Sequence, residues 1–396
     1  MRLFKSALLS LVMVFCGYGF AIAADIDLEA VDRRIQMLME RPEMVGMAVA
    51  IFEDGELILA EGYGVRRNGQ DEYVDADTVF RWASLSKSVA ANLTLQFVED
   101  GTLTLQTPVS EYSPSLGLAE SHADMTLEDV LGQRTGLVFN AHDLMIEDGK
   151  SANHAKSRLD EFDPVCAPGQ CYSYQNVAFD SAREAIEGVT GLPYKTIAKQ
   201  RIFEPLDMTS ASLTHEGLLQ SSNWARPHNR KGKPVEKVKP TYYRLPAAAG
   251  VNSSVLDLAK WMESQFSDDT PFSEFVLEST HLPRVTTPAE ERRLQRHFPV
   301  LSNSRYGLGW RVYDFGESKL IGHRGAVEGY RSYVLFDPER KTGVAILWNS
   351  THFRPVGLPL EIFDQVYDQP RRDWMRLEHS EHLPLRDLGL IGSGGR

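Results

Sequence analysis

The clearest β-hairpin pattern near the start of this chain reads Val45-Gly-Met-Ala-Val-Ala-Ile-Phe52, then Asp54-Gly55, then Leu57-Ile-Leu-Ala60. Two apolar runs on either side of an Asp-Gly pair are typical of two strands joined by a tight turn. The sequence therefore predicts that the mature protein opens with β-structure.

Strand patterns return only near Tyr306. Turn-like segments separate them, which favours an antiparallel meander, and Lys341-Thr-Gly343 is interpreted as a hairpin tip. A helix from about Gly357 to Tyr367 follows. The strand patterns read Tyr306-Gly-Leu-Gly-Trp-Arg-Val-Tyr313, Lys319-Leu-Ile-Gly-His323, Tyr330-Arg-Ser-Tyr-Val-Leu-Phe336 and Val344-Ala-Ile-Leu-Trp-Asn349.

Helical patterns and long connections occupy the middle of the chain. Leu85, Val89, Leu93 and Phe97 recur at four-residue spacing, and Gly101 ends the pattern. Strands at both ends predict an α/β (α+β) fold in which one antiparallel sheet, built from both termini and flanked by helices, carries a large helical insertion. We assign the sheet to about 24–80 and 301–370, the insertion to about 81–300 and a C-terminal tail to 371–396.

Composition excludes several classes of protein. The chain has 396 residues, of which 42% are hydrophobic and 24% charged, enough to bury a substantial core. This excludes a disordered tail or a fibrous repeat. Beyond the start of the chain, no apolar run approaches the roughly 18 residues that a membrane-spanning helix needs, which excludes a multi-span membrane protein.

The first residues are typical of a secretory signal. Arg2 and Lys5 precede an apolar stretch from Ala7 to Phe20 and the small residues Ala21-Ile-Ala-Ala24. We predict a signal peptide at 1–23 and an exported protein, periplasmic or secreted, with no stable membrane span after cleavage; an uncleaved anchor is the alternative. Cleavage changes the net charge from −12 to −14, which argues against nucleic acid as a partner.

Two cysteines remain after the signal peptide, in Cys166-Ala-Pro-Gly-Gln-Cys171. An oxidising compartment favours a disulfide that closes a small loop around Pro168-Gly169. Two free thiols are the alternative. A metal site is poorly supported because no histidine lies close by in sequence.

Ser84-Leu-Ser-Lys87 begins the predicted helix, and residues three apart on a helix share one face. The Lys87 ammonium can then approach the Ser84 hydroxyl, and a partly desolvated lysine can take its proton. A serine and a lysine three apart are expected by chance about once in such a chain, so this motif alone is weak.

Two further motifs carry polar groups suited to the same chemistry. In Tyr174-Gln-Asn176, a tyrosine relays a proton if nearby cations depress its pKa, and an asparagine meets a substrate amide; a buried tyrosine and a capping asparagine are the alternative. His323-Arg-Gly325 ends a predicted strand, where Gly325 lets a ligand approach the backbone. A lone histidine is more often structural.

Ser-x-x-Lys, Tyr-x-Asn and His-x-Gly in this order resemble the serine β-lactamase and penicillin-binding protein superfamily, closest to the group of class C β-lactamases and D-alanyl-D-alanine carboxypeptidases. The resemblance covers roughly Val45 to Asn349. It includes Thr78-Val-Phe-Arg-Trp-Ala-Ser84, Arg134-Thr-Gly-Leu137, Pro168-Gly169, Glu204-Pro-Leu-Asp-Met208 and Tyr306-Gly-Leu-Gly-Trp310.

The resemblance implies acyl transfer without a metal or organic cofactor. Ser84 would attack an amide, ester or lactam carbonyl while Lys87 and Tyr174 move protons. Asn176 would orient the substrate amide, and the backbone N–H groups of Ser84 and Ala326 would form the oxyanion hole.

The remaining substrate-binding positions are less regular. His323 would take the place of a cation on the sheet edge, and Asn140 would match a polar substrate-binding position. Class C β-lactamases usually have Lys-Thr-Gly where this chain has His-Arg-Gly, which weakens an antibiotic-resistance reading. Arg324 either binds a substrate carboxylate or points away and signals a neutral substrate.

Three kinds of function stay open at this point. The first is a serine hydrolase acting through an acyl-enzyme on a small-molecule or peptide substrate, either a β-lactam or a D-alanyl peptide. A carboxylesterase on the same scaffold is the second. The third is a protein that does not turn over a substrate: either a penicillin-binding sensor or scaffold that is acylated without turnover, or a binding protein without activity.

Overall fold

The computed structural model describes residues 26–378, so the signal peptide expected at 1–23 lies outside the described residues. The strands are β1 (Gly46–Glu53), β2 (Glu56–Gly64), β3 (Phe80–Arg81), β4 (Asn252–Ser253), β5 (Val285–Thr286), β6 (Leu301–Tyr306), β7 (Arg311–Phe315), β8 (Ser318–Val327), β9 (Tyr330–Asp337) and β10 (Thr342–Trp348). The helices are α1 (Leu28–Met39), α2 (Ser86–Glu99), α3 (Val109–Tyr112), α4 (Leu127–Leu131), α5 (Asp143–Glu147), α6 (Ala152–Lys156), α7 (Ser181–Thr190), α8 (Tyr194–Ala198), α9 (His215–Gln220), α10 (Pro246–Ala249), α11 (Val255–Glu263), α12 (Glu274–His281), α13 (Pro288–His297) and α14 (Leu358–Val366).

One antiparallel sheet contains most of the strands, in the order β2-β1-β10-β9-β8-β7-β6-β5. Strand β1 lies beside β10, with Val49 opposite Ile346. The two ends of the chain therefore meet inside one sheet, and the helical insertion between β2 and β5 packs on it. This confirms the predicted fold class.

The described chain begins with α1, so the prediction that the mature protein opens with β-structure is wrong. Asp27 caps this helix by accepting a hydrogen bond from the Ala30 N–H at 2.9 Å. Val31, Ile35 and Leu38 recur at helical spacing and are buried. An amphipathic helix of this kind forms because its apolar stripe has a sheet face to cover.

The predicted strand from Tyr306 to Tyr313 is in fact the end of one strand, a turn and the start of the next. Strand β6 ends at Tyr306 and β7 begins at Arg311. Gly309 in the turn has a φ of 75°, and a Cβ atom there would lie 2.6 Å from the Lys87 backbone oxygen. The turn therefore packs directly on α2, which places Arg311 close to the start of that helix.

The sheet separates two hydrophobic cores. Alternate residues of β1 face opposite sides: Ala48 and Ala50 join the core that contains α2 and α11, whereas Val49 and Ile51 join the core that contains α1 and α14. This is the period-2 alternation expected of a strand covered on both faces.

The segment assigned to the C-terminal tail begins inside the packed structure. Met375 is buried, and the Arg34 guanidinium of α1 donates to Asp373 and to Glu361 of α14. Residues 371–378 therefore cover α1. Within residues 26–378, no helix is both long and apolar enough to cross a membrane.

Candidate active site

The predicted site residues meet in one pocket. Its lining includes all the catalytic and substrate-binding candidates except Lys87, which donates a hydrogen bond to Asn176. Asn140 has a backbone φ of 55°. Its Oδ1 is buried and has no hydrogen-bond partner among the described residues. The lining candidates are Ser84, Asn140, Tyr174, Asn176, His323, Arg324, Gly325 and Ala326.

Ser84 lies on a 3-10 turn between β3 and α2. The residue before it, Ala83, is fully buried and has a φ of 51°. Backbone strain of this kind persists only where the surrounding structure holds it, and it clusters at functional sites. Trp82 helps to hold the turn, because its backbone N–H donates to the Val251 oxygen at 2.8 Å.

Lys87 is completely buried at the start of α2. Its Nζ donates hydrogen bonds to Asn176 Oδ1 at 2.6 Å and to the Ala248 backbone oxygen at 3.0 Å. Burial, opposed by the charge of Asp143, lowers the pKa of Lys87 to about 7. An amine with this pKa can take a proton from a serine hydroxyl near neutral pH.

Asn176 connects Lys87 to Asp143. Its Nδ2 donates to Asp143 Oδ2 at 2.7 Å, while its Oδ1 accepts from Lys87. Burial raises the pKa of Asp143 to about 7, against the hydrogen bond from Asn176 and the charge of Lys87. Lys87, Asn176 and Asp143 thus form one hydrogen-bonded chain.

Tyr174 is buried, and its hydroxyl is close enough to Ser84 for a hydrogen bond to act on the pKa of Tyr174. Burial raises the pKa of Tyr174 well above its usual value, because it outweighs the hydrogen bond with Ser84 and the charge of Arg311. The depressed pKa suggested for this phenol is therefore not what the structure shows. Tyr174 keeps its proton at neutral pH and can donate it.

The disulfide between Cys166 and Cys171 closes the loop that leads into Tyr174. The Ser173 N–H donates to the Gln133 oxygen at 2.7 Å, and the Asn140 N–H donates to the Tyr174 oxygen at 2.9 Å. These bonds tie the loop and the tyrosine to residues 133–140, of which Phe139 and Asn140 line the pocket.

The end of β8 is a local sheet edge. Pairing with β7 stops at Arg311 opposite Gly322, so His323–Val327 pairs only with β9. A Cβ atom at Gly325 would lie 1.8 Å from the Trp82 oxygen. The glycine therefore admits the protein's own serine-bearing turn, rather than the ligand that the sequence suggested, and this contact holds Ala326 in the same pocket as Ser84.

His323 lies on this edge but is not a cation. Burial and the charges of Arg311 and Lys87 lower the pKa of His323 far below its usual value. Its Nδ1 lies 2.8 Å from the Arg324 backbone oxygen and therefore carries the proton, so Nε2 accepts from the Tyr306 hydroxyl at 3.0 Å. The expected cation at this position is thus a neutral imidazole with both nitrogens occupied.

Arg311 supplies a positive charge to the pocket. Its Nη2 donates to the Tyr172 hydroxyl at 3.1 Å, and its Nη1 is buried with no hydrogen-bond partner among the described residues. Arg324 forms an ion pair with Glu290, whose Oε1 also lies 3.9 Å from Arg311 Nη1. Burial alone would raise the pKa of Glu290, but the charges of Arg324 and Arg311 lower it to about 2, so Glu290 offsets Arg324 at neutral pH.

Sequence reasoning missed Arg311 and Asp143. Arg311 carries a signal, because it is a charged residue directly after Gly-Leu-Gly-Trp310 in an otherwise apolar pattern. Asp143 carries none, since no motif or periodicity marks the segment around it. Among residues 26–378, no group of three or more His, Cys, Asp or Glu side chains could hold a metal ion.

An antiparallel sheet with a Ser-x-x-Lys pair, a Tyr-x-Asn loop and a His-x-Gly strand around one pocket defines the β-lactamase and transpeptidase-like class. The chain belongs to the Beta-lactamase family, whose model matches residues 31–366. This confirms the resemblance seen in the sequence, and members of this fold family are serine hydrolases.

Individual relatives are distant. The unguisins hydrolase ungD of Aspergillus violaceofuscus is 26% identical over 386 residues, which cover 87% of this chain and 66% of the relative. The octameric penicillin-binding protein homologue from Pyrococcus abyssi superposes with a TM-score of 0.77 at 25% identity, over 87% of this chain and 78% of that one.

A second solved structure shares the fold. The D-alanine carboxypeptidase AmpC from Burkholderia cenocepacia has a TM-score of 0.67 at 21% identity, over 86% of this chain and 98% of that one. The chain spans 62% to 66% of the length of the first curated relatives that it matches.

Proposed function

We propose that this protein is a serine hydrolase that forms an acyl-enzyme at Ser84. The observation that carries the proposal is the buried Lys87, whose pKa of about 7 suits it to take the Ser84 proton. Ser84 Oγ then forms a bond with the carbonyl carbon of the substrate. The backbone N–H groups of Ser84 and Ala326, at the local edge of β8, receive the negative charge on the carbonyl oxygen.

Tyr174 carries the proton to the leaving group. Its hydroxyl is near Ser84 and keeps its own proton at neutral pH, so it can protonate the departing nitrogen or oxygen and recover a proton from Lys87. The carbon–nitrogen or carbon–oxygen bond breaks, and the acyl group stays on Ser84. Water then attacks the ester carbonyl while Lys87 again accepts a proton. The bond between Ser84 Oγ and the acyl carbon breaks, Ser84 regains the proton from Lys87, and the acid is released.

The charge of the pocket favours a substrate with a free carboxylate. Arg311 Nη1 is buried and has no hydrogen-bond partner among the described residues, although Glu290 Oε1 lies 3.9 Å from it. A substrate carboxylate would give this nitrogen a charge-assisted hydrogen bond. β-Lactams and peptides ending in D-alanine carry such a carboxylate near the scissile bond. The names of the penicillin-binding and carboxypeptidase neighbours support the same substrate class.

A carboxylesterase is the second candidate, and the neutral state of His323 favours it. With both imidazole nitrogens engaged and Arg324 paired to Glu290, the edge of β8 offers less positive charge than a lysine would. An uncharged acyl ester would then fit as well as an anionic amide.

Mass spectrometry after incubation with benzylpenicillin, beside a Ser84→Ala variant, tests the proposal. A transient adduct of Ser84 with released product supports the hydrolase, whereas a stable adduct supports a penicillin-binding sensor. Cleavage of short-chain aryl esters without any lactam adduct moves the assignment to esterase. Activity that is indifferent to Ser84→Ala overturns all three.

We also propose that the protein is exported through cleavage of residues 1–23. The disulfide between Cys166 and Cys171 supports this, because such bonds persist mainly in oxidising compartments. N-terminal sequencing of the protein from its native host tests it, and a mature protein that retains Met1 would overturn it.

A further inference from the structure

Asp143 is a buried carboxylate at the edge of the active-site pocket. It is the first residue of α5, is 1% exposed and lines the pocket together with Tyr174 and Asn176. The turn before it contains two residues with positive φ, Asn140 and His142. Two such non-glycine residues in one turn are costly, so this backbone is held in place by its surroundings.

Only one of the two Asp143 oxygens is used. Oδ2 accepts the hydrogen bond from Asn176 at 2.7 Å, whereas Oδ1 is buried and has no hydrogen-bond partner among the described residues. The Tyr242 hydroxyl is near enough to favour the charged form of Asp143, but it donates to Glu147 at 2.8 Å. A buried carboxylate oxygen without a donor is costly, and a donor from a ligand would remove that cost.

The surroundings of Asp143 are deficient in positive charge. Lys87 is the basic group that acts on it, but Lys87 directs its hydrogen bonds to Asn176 and Ala248 and has to be uncharged to act as a base. Glu147, on the same helix, adds a second negative charge.

A second part of the pocket lining, contributed by α13, β7 and β8, is rich in positive charge. Arg311, Arg324 and Arg293 line it, with Glu290 as their acidic partner. The pocket is therefore polarised, with excess positive charge near Arg311 and negative charge at Asp143. A ligand that carries an anion at one end and a cation at the other would match it.

We propose that Asp143 determines specificity by receiving an ammonium group on the acyl-donor side of the substrate. This inference rests on the proposed function, in which Asn176 orients the substrate amide. Because Asp143 accepts from the same Asn176 amide, the ammonium belongs on the carbon next to that substrate amide. The substrate class is a short peptide with a free amino terminus one residue before the acylated residue, or a lactam whose side chain carries an α-amine.

Ampicillin and benzylpenicillin form a matched pair of probes, because they differ by that α-amine alone. The rate constant for Ser84 acylation is measured for each by mass spectrometry at pH 7, where the α-amine of ampicillin is still largely protonated, with wild-type protein and Asp143→Asn. Since a hydrogen bond to a charged group corresponds to roughly 10- to 100-fold, we expect wild-type protein to favour ampicillin by about that factor. The ratio should fall to about 1 in Asp143→Asn.

The ratio of the two acylation rate constants within each variant separates recognition of the ammonium group from positioning of Asn176. A change in Asn176 would slow the acylation by both lactams equally and would cancel in the ratio. Glu147→Gln is the matched control; it removes a carboxylate from the same helix and should keep most of the preference. Phenylglycyl-D-alanyl-D-alanine and its N-acetyl derivative form a second pair for turnover.

Equal rate constants for both members of each pair in wild-type protein would overturn this inference alone. So would a preference that survives Asp143→Asn. If neither lactam forms a Ser84 adduct and neither peptide is cleaved, the proposed function falls and this inference falls with it.

Discussion

Lys87 Nζ donates a hydrogen bond to Asn176 Oδ1 over 2.6 Å. Because an ammonium group can only donate, this contact points the Asn176 NH₂ group away from the lysine, toward Asp143 and the pocket. One N–H bonds to Asp143, and the second remains for a substrate carbonyl. Lys87, the proposed proton acceptor, therefore also orients the amide that we propose aligns the substrate.

The acylation rate is expected to rise with pH through an apparent pKa near 7. Lys87 has to lose its proton to act as a base, and its pKa is about 7, so the active form predominates above that pH. The measurement is the acylation rate by benzylpenicillin from pH 5 to 9.

Lys87→Arg is expected to lower that rate by about 10²- to 10⁴-fold, since a guanidinium stays protonated. It should also abolish the rise near pH 7. A variant that retains the same pH profile would show that another group is the base.

Arg311→Met is expected to lower kcat/KM for substrates with a free carboxylate by about 10- to 100-fold, the usual value of a hydrogen bond to a charged group. For a peptide substrate whose carboxyl terminus is amidated, kcat/KM should change little. Arg324→Met is the control, with a smaller effect expected because Glu290 offsets its charge. Equal losses on the acid and the amide would contradict a role in carboxylate binding.

Gly325→Ala is expected to lower the free energy of unfolding by about 1 to 3 kcal/mol, the usual cost of overpacking, and to reduce activity. The added methyl group would lie 1.8 Å from the Trp82 oxygen and 2.4 Å from Ser332 Oγ, so β8 would have to separate from the turn that carries Ser84.

Denaturant unfolding measures this effect, with Gly188→Ala on α7 as the control. Gly188 is exposed, and a Cβ atom there meets nothing within 4 Å. Gly188→Ala should raise the free energy of unfolding by up to about 1 kcal/mol. Equal effects of the two changes would refute the packing argument.

Reduction of the bond between Cys166 and Cys171 is expected to lower the melting temperature and to loosen the backbone around Tyr174. The free energy of unfolding should fall by at most about 3 kcal/mol, because a disulfide that closes a short loop restricts the unfolded chain only modestly. Calorimetry and hydrogen exchange of residues 173–176 with and without reductant test this. Melting that does not change, once mass spectrometry has established the bond beforehand, would contradict it.

Local patterns in the sequence predicted the sheet and its helices well. The Asp54-Gly55 turn lies between β1 and β2, and the four-residue spacing from Leu85 corresponds to α2. Two local errors came from the same source. The helix α1 was overlooked beside the stronger strand pattern that follows it, and Tyr306–Tyr313 was read as one strand because its glycine turn is embedded in apolar residues.

The amino-acid sequence alone determined the candidates Ser84, Lys87, Tyr174 and His323 and the order in which they occur, because motif spacing and apolar periodicity are local properties of the chain. Only the tertiary structure decided their charges. Burial makes His323 neutral, keeps the Tyr174 proton and lowers the pKa of Lys87, and burial depends on segments far apart in sequence. For the same reason Arg311 and Asp143 became visible as site residues only after folding brought them to Ser84.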